Sequence, residues 1–268
     1  MQPINKPYAV ITGASKGLGL ELAKSVAAQN RNLILVSLPG ESVRERAEEL
    51  MESFKIDVRY YETDLTNLEN INVLSSWIKA NFKIDMLINN AGTGGSCDFT
   101  LSETEYLNTI MQLNMTATVM LTRKLIPLLQ QHERAYILNI ASMASFGPMP
   151  YKTVYPASKA FIYSFSRGLY AELRHTNIFV SVAHPGPMAT TPEIAARIRK
   201  HNRLIRTTVL SSEKTAQICI RQLLKKDALI LPGFMNKVSW LIIKMSPVWL
   251  RLHIFRRSLL KELRPQIV

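Results

Sequence analysis

The chain has 268 residues, with 33 Lys and Arg against 20 Asp and Glu for a formal net charge of +13; 47% of its residues are hydrophobic and 20% charged. That apolar share excludes a largely disordered chain and is ample for one full core. Two distant cysteines, Cys97 and Cys219, and five histidines with no ligand-like spacing exclude a disulfide scaffold and argue against a structural metal. The positive excess suits an anionic cofactor, an acidic substrate, nucleic acid or an anionic membrane surface, without choosing among them.

The N-terminus, MQPINKPYAVITG, runs into a strand-like segment without the apolar h-region of a secretory signal, so a cytoplasmic location is expected. The first strand, YAVIT from residue 8, leads into TGASKGLG, with Gly13, Gly17 and Gly19. A helix follows, whose Leu18, Leu22 and Val26 recur at helical spacing. Glycines at such a turn let backbone approach a pyrophosphate, and the helix N-terminus offers unpaired N–H groups and a positive dipole end. Tight helix–strand packing explains the same glycines without a ligand. Further strands are expected at LILVS from 33, VRYYE from 58, DMLIN from 85, AYILNI from 135, IFVSVA from 178 and ALILP from 228. Helical stretches separate them, such as Leu107, Ile110, Met111 and Met115. About seven strands alternating with helices predict an α/β fold, a parallel sheet with helices on both faces. No repeat or linker divides residues 1–268, so one domain is expected, with a shift in composition near residue 232.

Within that frame NNAG at 89–92 closes the fourth strand and Asn114 lies in the next helix. Ser142 ends the fifth strand, and PG at 185–186 ends the sixth. VYPASKAF at 154–161 sets Tyr155 and Lys159 on one helical face, with Pro156 in the first turn, where a missing N–H is tolerated. A free tyrosine, with a pKa of about 10, is a poor proton donor at neutral pH, whereas a neighbouring ammonium stabilises its phenolate. Taken singly, these residues read more plainly: a lysine stem packed on a tyrosine, a turn serine, an interior asparagine bonded to a backbone carbonyl.

In order and spacing, the T-G-x-x-x-G-x-G turn, NNAG, Asn114, Ser142, Tyr155 with Lys159, and PG resemble the short-chain dehydrogenase/reductase (SDR) family over residues 7–232. The resemblance implies a Rossmann-like doubly wound sheet and an NAD(P)-dependent enzyme interconverting a carbonyl and a secondary alcohol. It implies that Tyr155 is general acid in reduction and base in oxidation. Lys159 would lower the pKa of Tyr155 and bind the nicotinamide ribose, Ser142 would orient the carbonyl, and Asn114 would hold a water linking Lys159 to solvent. For the cofactor it implies contacts from Gly13, Ser15, Lys16, Gly17, Leu18 and Gly19 at the first turn and from Ser37 after the second strand. Further contacts come from Asp64 and Leu65 on the adenine side, and from Asn90, Ala91 and Gly92 after the fourth strand. The set closes with Tyr155, Lys159, Pro185, Gly186, Met188 and Thr190, the last two at the nicotinamide amide.

The second strand ends in Ser37, Leu38 and Pro39, with no carboxylate to hold an adenosine ribose diol. The resemblance places Lys16 where the family's NADP-users often carry a basic residue, whose ammonium could pair with a 2′-phosphate. Although the family's common arginine is missing and Glu41 is close, NADP(H) is expected ahead of NAD(H).

EIAARIRKHNRLIR brings Arg197, Arg199, Lys200, Arg203 and Arg206 against Glu193. In the family this stretch covers the substrate, so the resemblance implies an anionic, lipid-like or 3-oxoacyl ketone; a solvated helix face is the plainer alternative. From 237 to 268, seven Lys and Arg stand against one Glu among apolar residues that include Trp240, Trp249 and Phe255. Lys244 and Pro247 make the run too short to span a bilayer. An amphipathic basic helical extension over 233–268 is expected, its residues 237–262 lying on anionic lipid or the extension packed on the domain or a second subunit. The resemblance also implies a homodimer or homotetramer paired through the helices of Asn114 and Tyr155. Competing functions are a non-catalytic dinucleotide-binding regulator, which would usually have lost the tyrosine or lysine, and a sugar-nucleotide epimerase or dehydratase, which would show another glycine spacing. Nucleic acid is not an expected partner, since no recognition motif accompanies the charge.

Overall fold

The computed structural model of the protein describes residues 6–188 and 209–263. Seven strands form one parallel sheet: β1 (Tyr8–Thr12), β2 (Asn32–Ser37), β3 (Val58–Glu62), β4 (Ile84–Asn89), β5 (Ala135–Ile140), β6 (Ile178–Ala183) and β7 (Leu229–Ile230). Their spatial order is β3-β2-β1-β4-β5-β6-β7. The described helices are α1 (Gly17–Ala27), α2 (Val43–Phe54), α3 (Leu68–Asn81), α4 (Thr104–Met111), α5 (Ala117–Leu129), α6 (Val154–Leu173), α7 (Ser212–Leu224), α8 (Phe234–Met245) and α9 (Val248–Leu263). The expected α/β architecture is therefore present. β7 is shorter than the run ALILP suggested; among the described residues it pairs only with β6, and Pro232 has no N–H to extend the ladder.

Burial on both faces explains the uninterrupted apolar strands. Because successive side chains point to opposite faces, Leu33 and Leu35 of β2 pack with α1, α2 and α7 through Leu22, Leu50 and Leu223. Ile34 and Val36 pack with α3 and α5 through Leu74, Ile78, Leu121 and Leu125 on the other side. The crossover leaving β1 and the one leaving β4 thus lie on opposite faces of neighbouring strands. Their divergence opens a crevice at the strand ends, the place where open α/β sheets bind ligands.

Beneath that crevice runs a buried polar chain. Asn89 Nδ2 donates to Thr122 Oγ1 at 2.9 Å and to Asn139 Oδ1 at 2.8 Å, and Asn139 Nδ2 donates to Ser166 Oγ at 2.9 Å. Fully satisfied, such a chain fixes β4, β5, α5 and α6 relative to one another, and those elements carry the site.

Candidate active site

The end of β1 turns sharply into α1. Gly13 and Gly17 have φ of 64° and 58°, the region that favours glycine. A Cβ on Gly19 would lie 1.9 Å from the Gly13 carbonyl oxygen, so α1 can close on the turn only with glycine there. Gly19→Ala is therefore expected to cost about 1–3 kcal/mol of stability and to weaken binding of a dinucleotide. A thermal melt with and without NADPH reads both effects.

Asn90 joins this turn to β4. Its Nδ2 donates to the carbonyls of Thr12 and Gly13 at 2.9 and 3.1 Å, while Thr12 Oγ1 accepts from the backbone N–H of Asn90 and of Ala91, both at 3.0 Å. The side-chain donors expected on the adenosine side of a cofactor are spent on shaping the pocket wall.

Ser142 opens a 3-10 turn over Met143–Phe146, its Oγ accepting from Ala144 N at 3.1 Å. α6 begins at Val154, so Tyr155 and Pro156 fall in its first turn as the sequence suggested. One turn on, Lys159 Nζ lies 5.9 Å from the centre of the Tyr155 ring and donates to the Ile140 carbonyl at 3.0 Å. The side chain of Ser142 hydrogen-bonds Tyr155. Two glycines after β4 admit this group: a Cβ on Gly92 would sit 3.0 Å from Asn114 Oδ1 and 3.1 Å from Lys159 Nζ, and one on Gly94 would sit 2.2 Å from Tyr155 Cδ2.

Asn114 is not in regular α-helix. It occupies a π turn, Gln112–Thr116, between α4 and α5, a local widening that often marks functional positions. Its Oδ1 accepts from Thr93 N, and its Nδ2 donates to Thr93 O and Ser158 Oγ, all at 2.9 Å. The amide expected to hold a water thus ties the π turn to the β4 loop and to α6.

Burial sets the electrostatics. It brings Lys159 down to about 8, since the ammonium loses water, and pushes the Tyr155 phenol above its ordinary value, partly offset by the Ser142 bond. In the protein alone burial prevails at Tyr155 over the depression expected from Lys159, whose ammonium is turned to the Ile140 carbonyl.

Other expected contacts divide into two groups. Ser37 Oγ donates to Leu38 O at 3.1 Å, and Asp64 Oδ1 accepts from Thr66 N at 2.9 Å. The cap of α3 is Asn67, whose side chain accepts from Glu69 N. Leu18 and Leu65 are buried in the core, which leaves their backbones for a ligand. Met188 packs partly on the α1 side of the core, and the Pro185 carbonyl accepts from Met143 N at 3.0 Å. Lys16, expected beside a phosphate, instead pairs with Glu41 at 2.6 Å, and Ser15 Oγ donates to the same carboxylate at 2.7 Å. Burial works to raise Glu41, but the Lys16 and Ser15 bonds prevail and hold it below the usual carboxylate value. Thr190 and the basic stretch with Glu193, Arg197, Arg199, Lys200, Arg203 and Arg206 lie outside the described residues.

Two features of the site were missed in the sequence. His184, at the end of β6, is buried, with Nδ1 at 2.8 Å from Ser145 Oγ and 3.1 Å from Ser142 O, and its ring stacks on Phe146 at 4.4 Å. Burial brings it to about 4, so it braces the serine turn as a neutral ring. Its only signal was its place before the PG pair. The C-terminal helical extension expected over 233–268 contains two helices, α8 and α9, separated at Ser246 and Pro247. It packs on the same serine turn: Trp240 lies 6.3 Å from the Phe146 ring, and Arg251 Nη1 donates to Phe146 O at 2.7 Å. A Cβ on Gly186 would meet Asn236 Oδ1 at 2.5 Å, so glycine is needed for α8 to approach the PG pair.

The glycine turn, the N-terminus of α1, bare Gly92 and buried Lys159 together fit a dinucleotide laid across the strand ends. Next to Tyr155 a small pocket is lined by Gly95, Cys97, Phe99, Ser102, Leu107, Ile110, Lys152, Thr153 and Val154. Among the described residues no group of three His, Cys, Asp or Glu could hold a metal ion.

The family model described as short chain dehydrogenase matches residues 7–202. The chain is 35% identical over 184 residues to a very-long-chain 3-oxoacyl-CoA reductase of Kluyveromyces lactis, a match covering 65% of this chain and 53% of that protein, so it spans about half that relative's length. It is 30% identical over 193 residues to an uncharacterized oxidoreductase of Staphylococcus epidermidis, covering 72% of this chain and 82% of that one. Among solved structures, L-sorbose reductase from Gluconobacter frateurii complexed with NADPH and L-sorbose superposes with a TM-score of 0.77 at 26% identity, covering 87% of this chain and 98% of that one.

Proposed function

The chain belongs to the short-chain dehydrogenase family, and we propose from that premise that it is an NADP(H)-dependent reductase converting the ketone of an apolar substrate, of the 3-oxoacyl thioester class, into a secondary alcohol. The observation that carries this reading is the cluster of half-buried Tyr155 and Ser142 with buried Lys159, at the end of β5 and the start of α6, beside the glycine turn. When bound, the cofactor supplies the hydride that reaches the carbonyl carbon. Tyr155 gives its proton to the carbonyl oxygen, Ser142 donates a hydrogen bond that holds that oxygen, and the Lys159 ammonium stabilises the phenolate left behind. Lys159 would also meet the nicotinamide ribose, and the glycine turn with the first N–H groups of α1 would hold the pyrophosphate.

A phenol raised above its ordinary pKa stays protonated at neutral pH, so its donation to the carbonyl oxygen depends on the Lys159 ammonium to stabilise the phenolate. For the cofactor, the absence of a carboxylate after Ser37 supports NADP(H), and the side chain of Lys16, 76% exposed, is free to exchange Glu41 for a 2′-phosphate. The 3-oxoacyl-CoA reductase relative supports the substrate class.

Initial rates with NADPH and NADH at equal concentration, against small ketones and 3-oxoacyl thioesters of increasing length, test the reading. NADPH is expected to be the faster cofactor, and longer thioesters the better substrates. A preference for NADH overturns the cofactor assignment, and turnover of small ketones with none of the thioesters overturns the substrate class.

A further inference from the structure

α8 and α9 each bury one face and leave another unpartnered. On α8, Asn236 is buried and donates to Pro232 O at 2.6 Å, and Trp240 packs on Phe146, while Phe234, Leu241 and Met245 are 76%, 51% and 78% exposed. Those three lie about two and three turns apart and form one row. Ile242 widens it, and Lys237 and Lys244, both exposed and two turns apart, run along its flank. Past the break, Trp249 is 71% exposed, followed on α9 by exposed His253, Arg256 and Arg257. From 234 to 261 the chain has no Asp or Glu.

Contiguous exposed apolar surface of this kind marks an interaction face. A second copy is a poor occupant, because a two-fold contact would set Lys237, Lys244, Arg256 and Arg257 against their own kind with no acid on these stretches to pair them. Anionic lipid headgroups answer every one of these charges, and Trp and Met suit the boundary of headgroup and acyl chain. No helix among the described residues is long and apolar enough to cross a membrane, so the contact is with a surface.

We propose that the outer face of α8 and α9, through Phe234, Leu241, Met245 and Trp249 with Lys237, Lys244 and Arg256, docks on the surface of an anionic lipid bilayer. The inner face of the same helices holds the serine turn through Trp240 and Arg251, so docking sets the substrate end of the site against the lipid.

Sedimentation of the full chain with vesicles tests this, using phosphatidylcholine alone and with about 30% phosphatidylserine, at about 50 mM and about 0.5 M salt. Pelleting is expected with phosphatidylserine at low salt, at least about tenfold weaker at high salt and with phosphatidylcholine alone. The triple substitution L241E, M245E and W249E, and separately K237E with K244E, should each reduce pelleting by at least about tenfold with the melting temperature unchanged. No pelleting of the wild type at low salt, or equal pelleting by the lysine variant, overturns the proposal. So does a wild-type dimer in light scattering that the triple substitution splits, which would give the face to a second copy.

Discussion

Tyr155→Phe is expected to lower kcat for carbonyl reduction by between about 10²- and 10⁴-fold while shifting the melting temperature little. The half-buried ring packs against Gly94, and phenylalanine fills the same volume, so packing is kept. What is lost is the hydroxyl that bonds Ser142 and carries the proton to the substrate oxygen. Because this proton is transferred only as the carbonyl is reduced, the loss should fall on kcat and leave NADPH affinity nearly untouched. The raised pKa adds a second signature. Alcohol oxidation needs the phenolate, so its rate should climb with pH through the alkaline range, whereas reduction stays level until the phenol itself ionises. A phenylalanine variant that keeps more than about a tenth of the reductase rate would move proton donation to another group.

The parts of the fold visible in the sequence are those governed by local chemistry. Runs such as LILVS and AYILNI are apolar throughout because both faces of the sheet are covered, and the glycines at 13, 17 and 19 answer a turn that favours left-handed backbone at 13 and 17 and leaves no room for a Cβ at 19. Where partners come from far along the chain, local pattern carries little warning of them. Glu41 reaches Lys16 across 25 residues and takes the place that a phosphate was expected to fill, and His184 finds Ser145 across 39 residues. The π turn at Asn114 has the same apolar spacing as an ordinary helix, so periodicity alone read it as one. In the C-terminal segment the helices are apolar on more than one face. Composition revealed the tryptophans but not that Trp240 turns inward to Phe146 while Trp249 faces solvent.

Lys159→Met is expected to disable the protein and stabilise it at once. Burial holds Lys159 at about 8 in the fold against 10.5 for the free side chain. Between those values the unfolded chain binds more protons than the folded one, so this group makes stability rise with pH across that window. Below about pH 8 the full cost of burying the ammonium is present; above about 10.5 both states are neutral and the cost is gone. The shift sets an upper bound of about 3 kcal/mol on that cost, at 1.36 kcal/mol per unit. Losing the bond to the Ile140 carbonyl returns about 1 kcal/mol of it. Methionine fills a similar volume without a charge, so the variant should melt about 4–8 °C higher at pH 7, and the gap should close as pH approaches 10. Its kcat/KM should fall at least about 100-fold, because nothing then stabilises the phenolate that Tyr155 becomes. Melting both proteins at pH 7 and pH 10 beside a rate measurement separates the two effects. A variant that melts lower at pH 7, or a gap indifferent to pH, would mean that Lys159 is held in the fold for its contacts, and that its charge carries no burial cost.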